Sequence, residues 1–99
     1  MSCAAPEQGS AIPAGIDVDQ QAVVQGRVLA GAKPVRGAYV RLLDSTGEFT
    51  AEVVTSEAGD FRFYAAPGSW TVRALSRAGN GQASGNVQLG INELDIVLS

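Results

Sequence analysis

The sequence predicts an all-β fold, a sandwich of seven short strands, and three observations support this prediction. From residue 22 onward, apolar and polar side chains alternate with a period of two, as in strands that bury one face. Segments rich in glycine, proline, serine and aspartate separate the alternating stretches, as expected of turns. No stretch shows the periodicity of an amphipathic helix, which favours two packed sheets over a parallel sheet covered by helices.

The alternation divides the chain into an irregular amino-terminal tail, residues 1–21, and a sandwich domain, residues 22–99. The tail contains Ile12, Ile16 and Val18, which leaves open that part of it packs on the sandwich. Residues 79–85 are rich in glycine and are predicted to form a flexible connection. The seven predicted strands cover residues 22–29, 37–44, 49–56, 60–65, 70–74, 86–89 and 92–98.

Three aromatic residues, Phe61, Phe63 and Trp70, are predicted to fill the centre of the sandwich, because their polar neighbours alternate outward. Burying a side chain of this size contributes about 1.5–3 kcal/mol. Gly26 and Ala38 are predicted to face the same interior, where their small size would allow the two sheets to approach closely.

The composition excludes several kinds of functional site. The chain has no histidine, the usual general base near neutral pH and the commonest metal ligand. Ser-His-Asp and Cys-His sites and the common zinc sites are therefore excluded. We predict no catalytic residue, no metal site and no cofactor.

Charge and hydropathy also restrict the expected partners. The net charge of -3 gives no indication of nucleic-acid binding, and no apolar run approaches the ~18 residues of a membrane span. The first ten residues lack the basic and apolar regions of a signal peptide, which predicts a cytoplasmic protein. A single cysteine excludes an internal disulfide.

Residues 22–76 resemble the carboxypeptidase-regulatory-like, or transthyretin-like, sandwich superfamily, and this resemblance implies a seven-strand Greek-key sandwich. Such a fold does not by itself specify a function. The resembling pattern consists of Val24-x-Gly26-x-Val28, Pro34-Val35-x-Gly37-Ala38-x-Val40-x-Leu42, Thr55-x-x-x-Gly59-x-Phe61-x-Phe63 and Pro67-Gly68-x-Trp70-x-Val72-x-Ala74.

At finer detail the chain resembles the actinobacterial SseC family, small proteins encoded beside thiosulfate sulfurtransferases of the rhodanese type. The resemblance implies a non-catalytic accessory role in sulfur metabolism, with the sulfurtransferase as the suspected partner. The resembling segments are Cys3 with Gln8-Gly9, and residues 41–45, 48–54, 59–63, 65–71, 73–76 and 78–81.

Cys3 is the one soft nucleophile of the chain. It is a candidate acceptor of persulfide sulfur on a tail that a sulfurtransferase reaches. Reactivity requires the thiolate, and no cationic residue lies within ten positions to lower its usual pKa of about 8.5. An incidental tail thiol therefore stays an alternative to a sulfur carrier.

Four arginines, Arg27, Arg41, Arg62 and Arg73, alternate outward on different predicted strands. Two or three of them on one sheet would form a basic strip for thiosulfate, sulfate or an acidic partner. The alternative is simple cross-strand pairing with outward carboxylates, at under about 1 kcal/mol per pair.

An outward apolar set makes a partner surface or a homodimer a further prediction. Cover by the tail, or simple scatter over the surface, are the alternatives. A small-ligand or carbohydrate-binding module is another function of this fold class, which would need a concave site. The outward apolar residues are Tyr39, Leu43, Val54, Tyr64 and Val97.

Overall fold

The computed structural model describes residues 21–99 and contains only strands and connecting loops in this range. The strands are β1 (Ala22–Ala30), β2 (Lys33–Pro34), β3 (Tyr39–Leu43), β4 (Phe49–Val54), β5 (Asp60–Ala65), β6 (Gly68–Ser76), β7 (Gly79–Val87), β8 (Gly90–Glu93) and β9 (Ile96–Leu98). The predicted all-β fold is confirmed.

The strands form two sheets. β1 lies at the centre of a five-stranded sheet, with β5 and β2 antiparallel to it along one edge and β8 and β9 parallel to it along the other. The four-stranded sheet has the order β4-β3-β6-β7, and all of its pairs are antiparallel. The two sheets enclose one apolar core, in a sandwich-like arrangement.

The aromatic residues occupy the core as predicted. Phe61, Phe63 and Trp70 are buried, and the two phenylalanine rings lie 6.1 Å apart between centroids at a tilt of 56°. The indole Nε1 of Trp70 donates a hydrogen bond of 2.8 Å to the carbonyl oxygen of Ala66, so its one polar group is satisfied. Gly26 faces Leu94 so closely that a Cβ would lie 2.4 Å from the Leu94 carbonyl oxygen.

The prediction of a flexible connection over residues 79–85 is wrong, because these residues form most of β7. The strand pairs with β6 along its whole length, from Gly79 opposite Ser76 to Val87 opposite Gly68. The glycines that suggest a loop are required by packing: a Cβ at Gly81 would lie 2.5 Å from the carbonyl oxygen of Val97. Small inward residues on β7 therefore let β9 pack against it.

Leu43 is buried, so its predicted exposure is wrong, although its register opposite Phe49 and Thr71 places it on the outer side of the sheet. The register between β3 and β4 shifts after Leu42, so that Leu42 lies opposite Ala51 while Leu43 lies opposite Phe49. An extra residue in β4 breaks the simple alternation there, as a β-bulge does. Leu42 and Leu43 are both buried, although β3 keeps a regular register with β6 at these positions.

A carboxylate completes the parallel seam where β8 ends and β9 begins. The backbone N–H of Arg27 donates to Oδ1 of Asp95 at 3.0 Å, in place of a backbone acceptor. One residue earlier on the same seam, the N–H of Leu94 donates to the carbonyl oxygen of Gln25 at 2.8 Å. The side chain of Asp95 thus maintains pairing across the break.

Candidate functional site

The four arginines lie on opposite outer faces of the molecule. Arg41 and Arg73 belong to β3 and β6 of the four-stranded sheet, whereas Arg27 and Arg62 belong to β1 and β5 of the five-stranded sheet. Each sheet therefore brings two arginines together, and the sandwich separates the two pairs. We call the outer surface of the four-stranded sheet the open face and that of the five-stranded sheet the covered face.

On the open face, Arg41 and Arg73 lie directly opposite each other in adjacent strands. Nε of Arg41 donates to Oε2 of Glu52 at 2.8 Å, and Nε of Arg73 donates to Oε1 of Gln82 at 3.2 Å. Among residues 21–99, no carboxylate forms an ion pair with Arg73. The row Glu52, Arg41, Arg73 and Gln82 therefore carries a net positive charge across the sheet.

An apolar row runs beside these charges. Val54, Tyr39 and Leu75 are neighbours in register on β4, β3 and β6, and Tyr39 and Val54 are 53% and 47% exposed. Phe49 is also exposed and lies under the guanidinium carbon of Arg41, which is 5.8 Å from the ring centroid. The open face thus combines exposed apolar surface with guanidinium groups, a combination frequent at protein interfaces.

On the covered face, Arg62 is only 2% exposed, so its prediction as a surface residue is wrong. Its Nε donates to Oε1 of Gln25 at 3.0 Å, and Nε2 of Gln25 donates to Oε2 of Glu93 at 2.7 Å. Arg62, Gln25 and Glu93 lie at one level of β5, β1 and β8, which explains this chain of hydrogen bonds. A buried guanidinium is unavailable to a ligand in this arrangement.

A polar groove of about 370 Å³ borders this chain of hydrogen bonds. Arg27 at its edge pairs with Asp60 at 3.2 Å, so both signs of charge are represented. The lining contains two arginines and three carboxylates, and this excess of negative charge gives no preference for an anion. The groove is lined by Gln25, Gly26, Arg27, Asp60, Phe61, Arg62, Glu93 and Asp95.

A second groove, of about 320 Å³, lies near the turn between β3 and β4. Oδ1 of Asp44 accepts hydrogen bonds from the Thr46 hydroxyl at 2.6 Å and from the N–H groups of Thr46 and Glu48. The hydroxyl of Thr46, and then these N–H groups, hold the pKa of Asp44 below its usual value. Trp70 also borders this groove, but its ring is buried and offers no platform for stacking a sugar.

Other candidate sites are either unsupported or untested. Within residues 21–99, no group of three or more histidine, cysteine, aspartate or glutamate side chains is arranged to hold a metal ion. The same residues include no helix that could span a membrane. Cys3 and the predicted tail up to residue 20 lie outside the described residues.

The sequence did not single out Leu75, Phe49 or Gln25, although all three contribute to the two faces. Leu75 was recognisable, because it follows Thr71 and Arg73 in the same alternation. Phe49 was not, because the bulge in β4 places it on the open face against the simple period. The role of Gln25 depends on which strands flank β1, and this is a property of the whole fold.

Comparison with known proteins gives a family without a described activity. Residues 3–98 match the family model "Protein of unknown function (DUF1416)". The uncharacterized proteins Rv0814c and Rv3118 of Mycobacterium tuberculosis H37Rv are each 55% identical, over 98% of this chain and 99% of their own length. An uncharacterized protein of Mycolicibacterium smegmatis is 56% identical, over 86% of this chain and 97% of its own. The chain therefore belongs to the DUF1416 family.

Proposed function

We propose that the protein is a non-catalytic interaction domain that docks through its open face onto a rhodanese-type thiosulfate sulfurtransferase. The observation that carries the docking proposal is the exposed apolar row of Val54, Tyr39 and Leu75 beside the opposed Arg41 and Arg73. What supports the choice of partner is the resemblance to the SseC family. The separate resemblance of residues 22–76 to the transthyretin-like superfamily supports a Greek-key connectivity.

The apolar row supplies the driving force for docking. Tyr39 and Phe49 are rigid amphipathic or apolar side chains, and large aromatic residues are frequent energetic centres of interfaces. Val54 and Leu75 extend the apolar surface on either side of Tyr39. Removing this contiguous strip from water favours association in proportion to the area buried.

The arginines supply direction and selectivity. Arg73 hydrogen-bonds only a neutral amide among the described side chains, so its charge is available to a carboxylate of a partner. Two copies of this face placed against each other would bring the two arginine pairs close, which costs electrostatic free energy. The charge pattern therefore favours a different, acidic partner surface over a homodimer.

Titration calorimetry of the full chain with the purified sulfurtransferase of the same organism tests this proposal. We expect a Kd below about 100 μM, weakening as salt is raised. Arg73→Gln should weaken binding about tenfold, a loss typical of one charge-assisted contact. Arg27→Gln, which removes one exposed charge from the opposite face, is the matched control and should leave the Kd within about twofold.

Absence of binding at ~100 μM, or equal losses for the two arginine variants, would contradict docking through the open face. The titration also separates docking from the alternative of sulfur carriage by Cys3, since Cys3→Ser should bind as the unsubstituted chain does. A persulfide on Cys3 would appear as one added sulfur in the protein mass after incubation with thiosulfate-loaded enzyme. An unchanged mass rejects carriage and leaves docking intact.

A further inference from the structure

The two outermost strands of the four-stranded sheet, β4 and β7, differ in how well their free edges are protected against pairing with another strand. β4 has six residues, a register shift and the charged Glu52, and short length, bulges and charges all discourage such pairing. β7 has nine residues, pairs with β6 without a register shift, and contains neither proline nor a charged side chain. β7 therefore presents the less protected edge.

The backbone groups that point from β7 to its free edge follow from the hydrogen bonds across the sheet. The N–H of Thr55 donates to the carbonyl oxygen of Ala38 at 2.9 Å, so even-numbered residues of β3 bond β4 and odd-numbered residues bond β6. The registers of β3 with β6 and of β6 with β7 carry this alternation across the sheet. The N–H and C=O groups directed away from β6 belong to Gln82, Ser84 and Asn86.

A hydrogen bond near the start of β7 supports this orientation. The N–H of Ser99 donates to the carbonyl oxygen of Asn80 at 3.1 Å, so Asn80 also directs its backbone away from β6. Within the described range 21–99, β7 pairs with β6 alone, and the edge-directed backbone groups of Gln82, Ser84 and Asn86 have no partner. These groups are therefore free to pair with another strand.

The surroundings of this edge indicate which chemistry such a strand would carry. A groove of about 290 Å³ lies beside it and is bordered by Gln82 and by Arg73 and Leu75 of β6. Arg73 forms no ion pair with any carboxylate of the described residues, so its charge can meet a carboxylate on an added strand. Leu75 ends the exposed apolar row of the open face, two residues further along β6.

We propose that the free edge of β7, from Gln82 to Asn86, binds an extended acidic segment of another protein by strand addition. In this mode of recognition, main-chain hydrogen bonds give affinity and alternate side chains give specificity. A residue opposite Gln82 lies two strand spacings, about 10 Å, from the backbone of Arg73, a distance that an arginine and a carboxylate side chain span together. An aspartate or glutamate there continues the row of Glu52, Arg41, Arg73 and Gln82.

A second copy of the chain fits this edge less well than an acidic segment does. β7 contains no acidic residue, so two β7 edges side by side would leave Arg73 of each copy without a carboxylate. The inference specifies the chemistry of the segment and not the protein that supplies it. It therefore stands apart from the proposed sulfurtransferase partner.

NMR titration of the ¹⁵N-labelled full chain with two synthetic heptapeptides tests the proposal. Both peptides alternate threonine and valine, with a central aspartate in one and a central lysine in the other. We expect the aspartate peptide to shift the amide signals of Gln82, Ser84 and Asn86 with a Kd of about 1 mM, about fivefold tighter than the lysine peptide. The amides of Glu52 and Val54, which point to the free edge of β4, are the matched control and should not shift.

Two substitutions separate backbone pairing from charge recognition. Ser84→Pro removes one edge-directed N–H and no bond to β6, and it should weaken binding of the aspartate peptide about tenfold. Ser84→Ala keeps that N–H, so an equal loss in both variants would assign the contact to the hydroxyl and contradict strand addition. Arg73→Gln should remove the preference for the aspartate peptide, and an unchanged preference would contradict the role of Arg73.

Three results of the titration would overturn the proposal. The first is no shift along β7 at ~5 mM peptide, and the second is an equal shift at the edges of β4 and β7. The third is a shift of the β7 signals on raising the protein concentration without peptide, which would assign the edge to a second copy of the chain.

Discussion

At the scale of single residues, the buried hydroxyl of Thr55 connects β4 to the loop that precedes β3. It donates to the carbonyl oxygen of Val35 at 2.7 Å and accepts from the N–H of Ala38 at 2.9 Å. Both backbone groups lie where the pairing of β3 with β4 has not yet begun or has just ended. The Thr55 hydroxyl therefore satisfies one backbone N–H and one backbone carbonyl oxygen beyond the paired residues of the sheet.

We expect Thr55→Val to lower the free energy of unfolding by about 1–3 kcal/mol, because the shape is retained while a buried N–H and a carbonyl lose their partner. Urea unfolding followed by tryptophan fluorescence measures the change. Thr71→Val, which removes the exposed hydroxyl bonded to Ser84, is the matched control and should cost under about 0.5 kcal/mol. Similar losses at the two positions would show that the buried contacts of Thr55 are not what stabilises the loop.

The carboxylate of Asp44 gives a prediction about pH. Its folded-state pKa is lowered, first by the Thr46 hydroxyl and then by backbone N–H groups. The stabilisation is therefore present above the unfolded-state pKa of about 3.9 and is lost as pH falls through the lower folded-state pKa. NMR titration should find the pKa of Asp44 below that of an unstructured aspartate, and closer to it in Thr46→Ala.

The stability difference between the original chain and Thr46→Ala should accordingly shrink as the solution is acidified below pH about 4. A pKa for Asp44 that is the same with and without the Thr46 hydroxyl would contradict the assigned cause.

At the scale of elements, β7 shows how packing determines which residues a strand contains. Its inward residues before Val87 are three glycines and one alanine, and its outward residues are polar and exposed. A Cβ at Gly81 would meet the backbone of Val97, whereas a Cβ at Gly85 would meet the flexible side chain of Leu94 at 3.1 Å. β7 should therefore tolerate an added methyl group better at Gly85 than at Gly81.

This geometry predicts a graded series of substitutions. Gly81→Ala should cost about 1–3 kcal/mol, because the carbonyl oxygen of Val97 cannot withdraw without separating β9 from β7. Gly85→Ala should cost less, since the leucine side chain can change rotamer, and Asn86→Ala on the exposed side is the control. Chemical denaturation of the three variants gives the order, and a Gly81→Ala variant as stable as the control would disprove the close approach.

β7 also shows why alternation of apolar and polar residues does not predict every strand of this fold. Alternation predicted β1, β3, β4, β5 and β6 well, because each of them buries large side chains on one side and exposes polar ones on the other. β7 has no large inward residue before Val87, so its local signal is that of a loop. Leu43 and Arg62 are buried on the outer sides of their sheets, which the alternation within their own strands does not predict.

At the scale of the whole molecule, the last strand, β9, completes the five-stranded sheet by pairing with β1. β1 pairs with β9 in parallel, so that Val28 lies opposite Ile96, and this pairing joins the two ends of the domain. No local pattern predicts such a partner, because parallel neighbours are separated by the entire intervening sheet. Folds dominated by pairings this distant in sequence refold on the ms–s timescale.

Matched isoleucine substitutions test how much stability this closure contributes. Ile96 of β9 is completely buried, whereas Ile91 of β8 is half exposed, yet both strands pair with the same edge of β1. Ile96→Ala should lower the free energy of unfolding by about 2–5 kcal/mol, because it leaves a cavity between the sheets, and Ile91→Ala should cost about 1 kcal/mol or less. Urea unfolding with an unchanged dependence on denaturant would assign the loss to the folded state. Equal losses would mean that the buried Ile96 contributes no more to stability than the half-exposed Ile91, and would contradict the importance assigned to this closure.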